Sequence, residues 1–436
     1  MIRLTFFACL LTIVVAGYPP LQLIYQWKNV CYYNVTDNEV VKDLPNTCTS
    51  VNDAISGIKL WKGYIYLTIP RWKSGVLVTL ARIPSTPSQE KDGSDVVSPN
   101  LEAYPDWEMQ TVGDCDKLQS VQSMEIDPQG RMWVLDTGRI ETMAKYPKIK
   151  CAPRLVILDL ENGGMVLRRF KFSNDVARHN SSNLNDIVLD HEDGGYAYIS
   201  DSGPEPAIIV YSLKDNKAWK FTHNSMKAET EAVNFKVSDT NVNQSINIRG
   251  IALSPLESNG NRILYYSSVS SFHLYYIPVK VLQNGSITNV HKYVREVGRR
   301  TSQTSGMVMS NTGVLYYGLL ADDAITMWDT LTTPTFVSGQ RTMYRNHSLL
   351  QWPDTFAFDE DGQLWWVTNR FQNFLNDKVD KTQINYRILS SNVTQKNYQY
   401  FRNGTAPELS VITAAAGQIR IAISTAFAIL LVFLAC

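Results

Sequence analysis

The segment that decides the fold class of this chain is Ser123-Met-Glu-Ile-Asp-Pro-Gln-Gly-Arg-Met-Trp-Val-Leu-Asp136. It contains an apolar strand, then the polar turn Asp-Pro-Gln-Gly, then a second strand that carries an aromatic residue. A turn of this composition between two such strands is typical of an antiparallel β-hairpin.

The same pattern occurs six times along the chain. The six segments are Gly57–Leu67, Ser123–Asp136, Asp186–Asp201, Gly250–Ser267, Gly306–Tyr317 and Thr355–Trp366. Their aromatic residues, spaced by 49 to 67 residues, are Tyr66, Trp133, Tyr198, Tyr265, Tyr316 and Trp365. This spacing leaves room for four strands per unit, and a lone four-stranded sheet cannot bury both faces. We therefore predict an all-β, six-bladed β-propeller of four-stranded antiparallel blades around a central channel. A β-sandwich is the alternative.

Charge and composition exclude several classes of protein. The 436 residues include 41 Lys and Arg against 41 Asp and Glu, so the formal net charge is zero. This balance predicts no nucleic-acid partner and no attraction to an anionic membrane. Hydrophobic residues make up 44% of the chain, which is enough for a large core and too apolar for disorder.

Both ends of the chain carry apolar segments that are typical of targeting signals. Residues 1–17 have a basic start, an apolar run and small residues before a cleavage site, which predicts a secretory signal peptide. We expect the propeller over residues 18–402. Residues 403–436 form a hydrophobic tail that resembles a GPI-attachment signal, with a transmembrane anchor or a terminal core strand as alternatives. The chain is thus predicted to be extracellular, secreted or tethered to the cell surface.

Cysteines and glycosylation motifs agree with export. Four cysteines remain between the two end segments, and of the three possible pairings we favour Cys31–Cys48 and Cys115–Cys151, because each closes a local loop. Glycosylation motifs occur at Asn34, Asn180, Asn243, Asn284, Asn346, Asn392 and Asn403.

The propeller prediction places a set of polar residues at one mouth of the channel. Those directly before the six inner strands are Ser56, Gln122, Asn185, Arg249, Ser305 and Asp354. The returning strands end near Asp136, Asp201 and Asn369, on the same side. A polar ring at the mouth of an otherwise apolar channel is a candidate site for a small polar ligand. Solvation of the mouth is the alternative role for these residues.

No sequence motif indicates a metal or organic cofactor. The six histidines lack metal-ligand spacing, and the turn Asp359-Glu-Asp-Gly362 lacks the ligand spacing of a calcium loop. Any chemistry must therefore use acids and aromatic residues around the channel.

Several motifs, in this order, resemble those of the insect Yellow and major royal jelly protein family. They are Tyr104–Trp107, Asp114–Asp116, Arg131–Gly138, Cys151–Leu155, Gly250–Pro255, Leu264–Tyr266, Leu274–Tyr276, Gly313–Gly318 and Leu364–Arg370. The resemblance runs from about Tyr25 to Leu389. It implies a secreted six-bladed propeller with a Cys115–Cys151 disulfide.

The resemblance also implies a ligand site. In the amine-binding members the ligand lies at the channel mouth, beside an Asn and a Phe that match Asn369 and Phe371 of this chain. A Thr of that site aligns with Asp354, whereas Thr355 lies one position later. The departure would put a carboxylate where the ammonium group of an amine could sit.

The resemblance implies three functions for this chain. The first is a non-enzymatic binder of small aromatic amines or catechol-derived compounds at Asn369, Phe371 and Asp354. The second is a cofactor-free, dopachrome-tautomerase-type enzyme of melanin pathways, with Asp136, Asp201 and Asp354 as candidate acids and bases. In this enzyme Arg249 would hold the carboxylate of the substrate. The third is a structural or interaction protein of cuticle or egg covering.

Overall fold

The chain forms a six-bladed β-propeller in the computed structural model, which describes residues 17–33, 50–87, 98–333 and 335–412. Each blade is a four-stranded antiparallel sheet, so the predicted fold class is confirmed. The first strands of neighbouring blades contact one another in a closed ring around the channel. Most of the predicted signal peptide, most of the predicted tail, Asn34 and Cys48 lie outside the described residues.

The strands of each blade run in order from the channel outward. Blade 1 contains β2 (Gly57–Trp61), β3 (Tyr64–Thr68), β4 (Leu80–Pro84) and β5 (Glu102–Ala103). Blade 2 contains β6 (Val121–Ile126), β7 (Arg131–Asp136), β10 (Arg154–Asp159) and β11 (Met165–Lys171). Blade 3 contains β12 (Leu184–Asp190), β13 (Tyr196–Asp201), β14 (Ala207–Ser212) and β15 (Lys217–Phe221).

The remaining blades follow the same order. Blade 4 contains β18 (Ile248–Leu253), β19 (Ile263–Ser268), β20 (His273–Pro278) and β21 (Arg295–Arg299). Blade 5 contains β22 (Met307–Met309), β23 (Val314–Leu319), β24 (Ala324–Asp329) and β25 (Arg341–Arg345). Blade 6 contains β26 (Pro353–Phe358), β27 (Gln363–Thr368), β28 (Tyr386–Asn392) and β1 (Gln22–Trp27).

Smaller elements lie between the blade strands. Two short hairpins are β8 (Arg139–Ile140) with β9 (Lys148–Ile149) and β16 (Asn234–Val237) with β17 (Thr240–Asn243). The α-helices of the described residues are α1 (Val279–Gln283), α2 (Phe336–Gly339) and α3 (Phe371–Leu375), and short 3-10 helices lie at Glu108–Gln110, Glu192–Gly194, Asn224–Met226 and Thr230–Ala232. Among the residues that the structure describes, no helix is long and apolar enough to cross a membrane.

The first strand of the chain closes the ring. β1 pairs antiparallel with β28, so the outermost strand of blade 6 comes from the opposite end of the chain. Opening the ring therefore requires breaking this ladder of backbone hydrogen bonds, which links the two ends of the propeller.

The six repeated aromatic residues all occupy the second strand of a blade, and each is at most 7% exposed. Their large rings fill the space between neighbouring sheets, which is why the pattern recurs in every unit. Trp133, for example, packs 6.4 Å from the ring of Tyr211 in blade 3. The repeated sequence pattern thus corresponds to the packing between blades.

The described residues contain one of the two predicted disulfides. Cys115 and Cys151 are bonded, as predicted. The pairing of Cys31 with Cys48 stays a prediction because Cys48 lies outside the described residues. Among the predicted glycosylation positions, the exposed ones are Asn180, Asn243, Asn284, Asn392 and Asn403, whereas Asn346 is partly buried.

The far mouth of the channel, where the inner strands end, is covered by residues 397–400. The hydroxyl of Tyr398 accepts a 2.7 Å hydrogen bond from the backbone of Leu189 at the end of β12. The Gln399 amide donates to the carbonyl of Ile126 at the end of β6, at 2.9 Å. This segment spans the ends of two inner strands, so access from that side is restricted.

Candidate active site

Four of the six inner strands begin with a β-bulge at the same place. The pairing register shifts at Gln122 in β6, at Asn185 in β12, at Arg249 in β18 and at Asp354 in β26. A bulge leaves a residue outside the regular ladder and redirects its side chain. The repeated bulge explains why these polar residues surround the channel mouth instead of joining the regular ladder.

Two glycines bring three blades close together at this mouth. A Cβ on Gly250 would lie 2.8 Å from the carbonyl oxygen of Ser305, and a Cβ on Gly306 would lie 2.0 Å from the carbonyl oxygen of Asp354. No side chain fits at the second distance. The inner strands of blades 4, 5 and 6 can approach to this degree only because both positions are glycine.

Five of the predicted residues form one hydrogen-bonded group, which we call the mouth cluster. Its members are Ser56, Arg249, Ser305, Asp354 and Asn369. Both oxygens of the Asp354 carboxylate accept hydrogen bonds, Oδ1 from Ser305 at 2.6 Å and Oδ2 from Ser56 at 2.9 Å. Asn369 Nδ2 donates to Oδ2 at 2.7 Å, and Arg249 Nη2 lies 3.0 Å from Oδ1. The cluster joins residues from blades 1, 4, 5 and 6.

The carboxylate of Asp354 is saturated by these donors. It is fully buried and lies against a cation and three neutral donors. These contacts make the carboxylate a structural acceptor and leave no free lone pair directed at a ligand. We conclude that Asp354 positions Arg249 and Asn369, and that it is poorly placed to remove a proton from a substrate.

Arg249 and Asn369 retain unused hydrogen-bonding capacity. Within the described part of the chain, Arg249 makes its side-chain hydrogen bonds only through Nη2. Asn369 uses its amide nitrogen, while its Oδ1 is buried and has no partner among the described residues. A buried acceptor without a partner is costly. The mouth cluster therefore offers guanidinium donors and one amide acceptor to a bound molecule.

An aromatic roof covers the mouth cluster. It consists of Trp72, Trp352, Phe371 and Phe374. The ring centroid of Phe371 lies 5.0 Å from Trp72, 5.3 Å from Trp352 and 5.5 Å from Phe374. The guanidinium of Arg249 lies 5.6 Å from the centroid of Phe371, which is a cation–π contact. The predicted residues Asn369 and Phe371 thus both lie near Arg249, and Phe371 forms part of a roof whose side chains are nearly closed to solvent.

Gln122 belongs to the roof more than to the cluster. Its Oε1 accepts a 3.1 Å hydrogen bond from Trp72 Nε1, and its buried Nε2 has no partner among the described residues. Gln122 therefore holds the Trp72 ring in place and presents a free donor beneath it.

A ligand-sized pocket lies outside the roof, with a volume of about 530 Å³. We call it the outer pocket; its lining includes Lys73, Glu141, Met143, Leu375 and Asp377. The ammonium group of Lys73 lies 4.0 Å from the ring centroid of Phe374, a roof residue. The outer pocket thus adjoins the roof at Phe374.

Two predicted acids do not join the cluster. Asp136 accepts from the backbone amides of Gln119, Ser120 and Gly138 and from the guanidinium of Arg154, at 2.7–3.0 Å. The backbone amides and the arginine that bind Asp136 all belong to the strands of blade 2 or to the loops of that blade. This saturated, fully buried carboxylate stabilises its blade, and the structure gives no support for a catalytic role.

Asp201 has the same kind of environment in blade 3. Its Oδ1 accepts from the backbone amides of Asn183 and Gly203, at 2.7 and 2.9 Å. These bonds fix the turn after β13, and no hydrogen bond connects Asp201 to Asp354 in the described structure.

Thr355 and Asn185 also lie outside the cluster. The hydroxyl of Thr355 donates to the backbone carbonyl of Ser56 at 2.7 Å and thereby links blades 6 and 1. Asn185 is partly buried in the bulge of β12, and its side chain makes no hydrogen bond within the described residues. Neither residue contacts the Asp354 carboxylate.

A small polar cavity lies in the channel just inside the mouth, and sequence reasoning missed it. This channel chamber has a volume of about 20 Å³ and contains Lys59, Glu125 and Asp186. Lys59 forms a 2.9 Å ion pair with Glu125. Burial raises the pKa of Glu125 and raises that of Asp186 to about 6. Charged residues inside predicted inner strands were the available sequence signal, because such strands are otherwise apolar.

The described residues contain no group of three or more His, Cys, Asp and Glu side chains arranged to hold a metal ion. The donors at the mouth are instead a guanidinium, amides and hydroxyls, which suit an organic ligand with carbonyl, hydroxyl or amine groups.

Comparison with known proteins agrees with the sequence resemblance. The family model of the major royal jelly proteins matches residues 119–399. The chain belongs to this family. That match includes four members of the mouth cluster, Arg249, Ser305, Asp354 and Asn369, and leaves out Ser56.

Curated relatives of this royal jelly family chain include a dopaminechrome tautomerase and Yellow proteins. It is 27% identical over 391 residues to the dopaminechrome tautomerase of Drosophila melanogaster, a match that covers 86% of this chain and 82% of that protein. It is 28% identical over 344 residues to protein yellow of the same species, covering 77% of this chain and 62% of that protein. The chain thus matches less than two thirds of the length of protein yellow.

The calcium-binding protein regucalcin from Agrobacterium tumefaciens aligns over 82% of this chain and 94% of its own, with a TM-score of 0.47 and 13% identity.

Proposed function

We propose that this protein is a tautomerase that converts an aminochrome, the cyclised quinone form of a catecholamine, into the corresponding dihydroxyindole in a melanin-type pathway. The observation that carries the proposal is the arrangement of Arg249, which is fixed by Asp354 at the channel mouth while most of its guanidinium donors stay unused. Such a cation can stabilise the negative charge that develops on the quinone oxygens.

The unpaired Oδ1 of Asn369 complements this cation. An aminochrome has two adjacent carbonyl oxygens at one end and a ring nitrogen at the other, so it needs donors for the oxygens and an acceptor for the N–H group. Arg249 and Asn369 supply these two kinds of group within one cluster. The similarity to a dopaminechrome tautomerase supports the same substrate class.

The substrate would enter from the outer pocket. Phe371, in the short helix α3, packs 5.5 Å from Phe374, which adjoins that pocket, and 5.6 Å from the guanidinium of Arg249. Displacement of the Phe371 ring by the flat ring of the substrate would keep an aromatic surface against the guanidinium and so preserve the cation–π contact.

We propose an extracellular location. The disulfide between Cys115 and Cys151 supports it, since such bonds persist in oxidising compartments. The apolar N-terminal segment and the exposed glycosylation motifs point the same way. A GPI anchor stays a prediction from the C-terminal sequence.

The loss of dopaminechrome absorbance tests the proposed activity. We expect turnover by the wild-type chain and a decrease of about 100-fold or more in kcat/KM for Arg249→Met, the range found when one donor to a developing oxyanion is removed. Arg345→Met, which removes an exposed arginine from β25, is the matched control and should keep full activity. Wild-type protein that is folded and does not accelerate the reaction would contradict the proposal.

One observation favours a second function, the binding of an aromatic amine without turnover. The three acids that the sequence suggested as bases are occupied by their own blades or by the mouth cluster. Calorimetric titration with serotonin and dopamine separates the two functions: saturable heat in a protein without turnover would establish the binder.

A further inference from the structure

The channel chamber contains charged groups that the proposed function has not used. Among its described lining residues the charged ones are Lys59, Glu125 and Asp186, so two acids face one base. Lys59 lies 2.9 Å from Glu125. Asp186 has no cation of its own and accepts from the backbone amides of Ile187 and Ile251, at 2.9 and 3.1 Å.

This imbalance favours one bound proton. A second unpaired negative charge in a buried chamber is expensive, because the surroundings solvate it poorly. Since the Lys59 ammonium group is paired with Glu125, the proton is best placed on Asp186. Burial accordingly raises the pKa of Asp186 to about 6, which lets the group change its charge near neutral pH.

The chamber is connected to the mouth cluster through the backbone. Asp186 Oδ2 accepts from the amide of Ile251, two residues after Arg249. The amide of Asp186 donates to Ser200 Oγ at 3.0 Å, and that hydroxyl donates to the carbonyl of Arg249 at 2.7 Å. Thr355 and Gly306, which directly follow two residues of the cluster, also line the chamber.

The chamber has room for water. The chamber volume of about 20 Å³ is enough for one or two water molecules, because a single water molecule requires about 10–15 Å³ of cavity volume. Polar partners for such a water are present in Asp186, Ser123 and the Lys59–Glu125 pair.

We propose that Asp186 is the group that exchanges protons with the substrate, and that it does so through water in the channel chamber. This inference rests on the proposed tautomerase function. It also explains how a substrate bound at the mouth cluster can lose a proton although the Asp354 carboxylate already accepts hydrogen bonds from its neighbours. The proton acceptor is then Asp186, which lies deeper in the channel.

The reaction balances without any further reactant. A C–H bond of the five-membered ring breaks, its electron pair moves through the conjugated ring to a quinone oxygen, and that oxygen gains a proton. The same transfer occurs for a second C–H proton, so the aminochrome and the dihydroxyindole are isomers. Asp186 accepts the first proton as a carboxylate and returns it as a carboxylic acid.

The first test compares the full-length wild type with Asp186→Asn. We expect kcat for dopaminechrome to fall about 100-fold or more, which is the usual contribution of a general base, and the acid limb of the pH–kcat profile to disappear. KM should stay within about 3-fold, because the mouth cluster is intact. Asp193→Asn, an exposed acid in the turn of the same blade, is the matched control.

A second variant leaves Asp186 in place. Lys59→Met removes the cation of the chamber, which raises the pKa of Asp186, so the acid limb should move to higher pH by on the order of one unit. Lys217→Met removes an exposed lysine from β15 and should leave the limb unchanged. An unshifted limb in Lys59→Met, or unchanged kcat in folded Asp186→Asn, overturns the proposal.

Infrared spectroscopy gives a readout that needs no turnover. Relative to Asp186→Asn, the wild type should show an additional carbonyl band of a protonated carboxyl group at about pH 5 that disappears by about pH 8, beyond the band of Asp53 that both proteins share. An active wild type without this band would overturn the role of Asp186 alone. An inactive wild type would overturn the proposed function and the relay together, even if the band is present.

Discussion

Replacement of Asp354 by Asn tests whether this carboxylate holds the mouth cluster together. The variant keeps the size of the side chain and removes its charge. It also places an amide group among the hydroxyls of Ser56 and Ser305 and the amide of Asn369, all of which donate to the carboxylate in the wild type. The guanidinium of Arg249 would lose its ion-pair partner.

The magnitude follows from the burial of the pair. Arg249 is 7% exposed and Asp354 is fully buried, so the cation left behind cannot recover its hydration. Breaking such a pair from one side costs about 3–5 kcal/mol of unfolding free energy. Arg249→Met should cost less, about 1–2 kcal/mol, because Asp354 retains three donors, each a hydrogen bond to a charged group.

A double-mutant cycle measured by urea denaturation isolates the interaction. In the Arg249→Met background, Asp354→Asn no longer strands a cation, so its cost should fall and the coupling free energy should be about 2 kcal/mol. Asp361→Asn, an exposed acid in the β26–β27 turn, is the control and should change stability by less than about 0.5 kcal/mol.

Two results would refute this reasoning. One is a loss of less than about 1 kcal/mol for Asp354→Asn, which would mean that the carboxylate does not organise its four neighbours. The other is additivity of the two single variants within about 0.5 kcal/mol, which would mean that Arg249 and Asp354 do not interact.

Two more predictions concern the backbone and the buried acids. Gly306→Ala should cost about 1–3 kcal/mol or more and abolish turnover, since its Cβ would lie 2.0 Å from the carbonyl oxygen of Asp354; normal stability by urea denaturation would contradict this close approach. Burial raises the pKa of Asp53 to about 7, so the folded state binds its proton more tightly than the unfolded chain. Stability should therefore decrease as pH rises from about 4 to about 7, and Asp53→Asn should reduce that decrease. An equal pH dependence in both proteins would refute this.

Much of the fold was predictable because it depends on residues that are neighbours in sequence. A turn such as Asp-Pro-Gln-Gly and the strands on either side of it form a hairpin through local preferences, and six copies of a sheet that cannot bury both faces must pack on one another. The repeated aromatics, Trp133 among them, follow directly from this packing. The polar residues lie at the starts of the inner strands, because chain order sets which end of a strand meets the mouth. Their exact placement was wrong for four of the six, since Gln122, Asn185, Arg249 and Asp354 lie inside their strands and not before them.

The grouping of the candidate site residues could not be read from the sequence. Asp136, Asp201 and Asn369 all precede loops that follow a second strand. Local backbone amides bind the carboxylates of Asp136 and Asp201, and Arg154 also binds that of Asp136. Only the bulges show which side chains leave the ladder. A signal was present in the dipeptides Arg249-Gly250 and Ser305-Gly306, where a polar residue precedes a glycine at the start of an inner strand.

The sequence by itself therefore determined the repeated hairpins, the number of blades, the polar residues near the channel mouth and the family resemblance. Tertiary structure alone decided that Ser56 and Asp354, 298 residues apart, share a hydrogen bond, that an aromatic roof covers them, and that Asp186 faces a buried chamber. The physical reason is ring closure. Contacts between blades depend on how six sheets pack around one axis, and the burial that shifts a pKa exists only after they have packed.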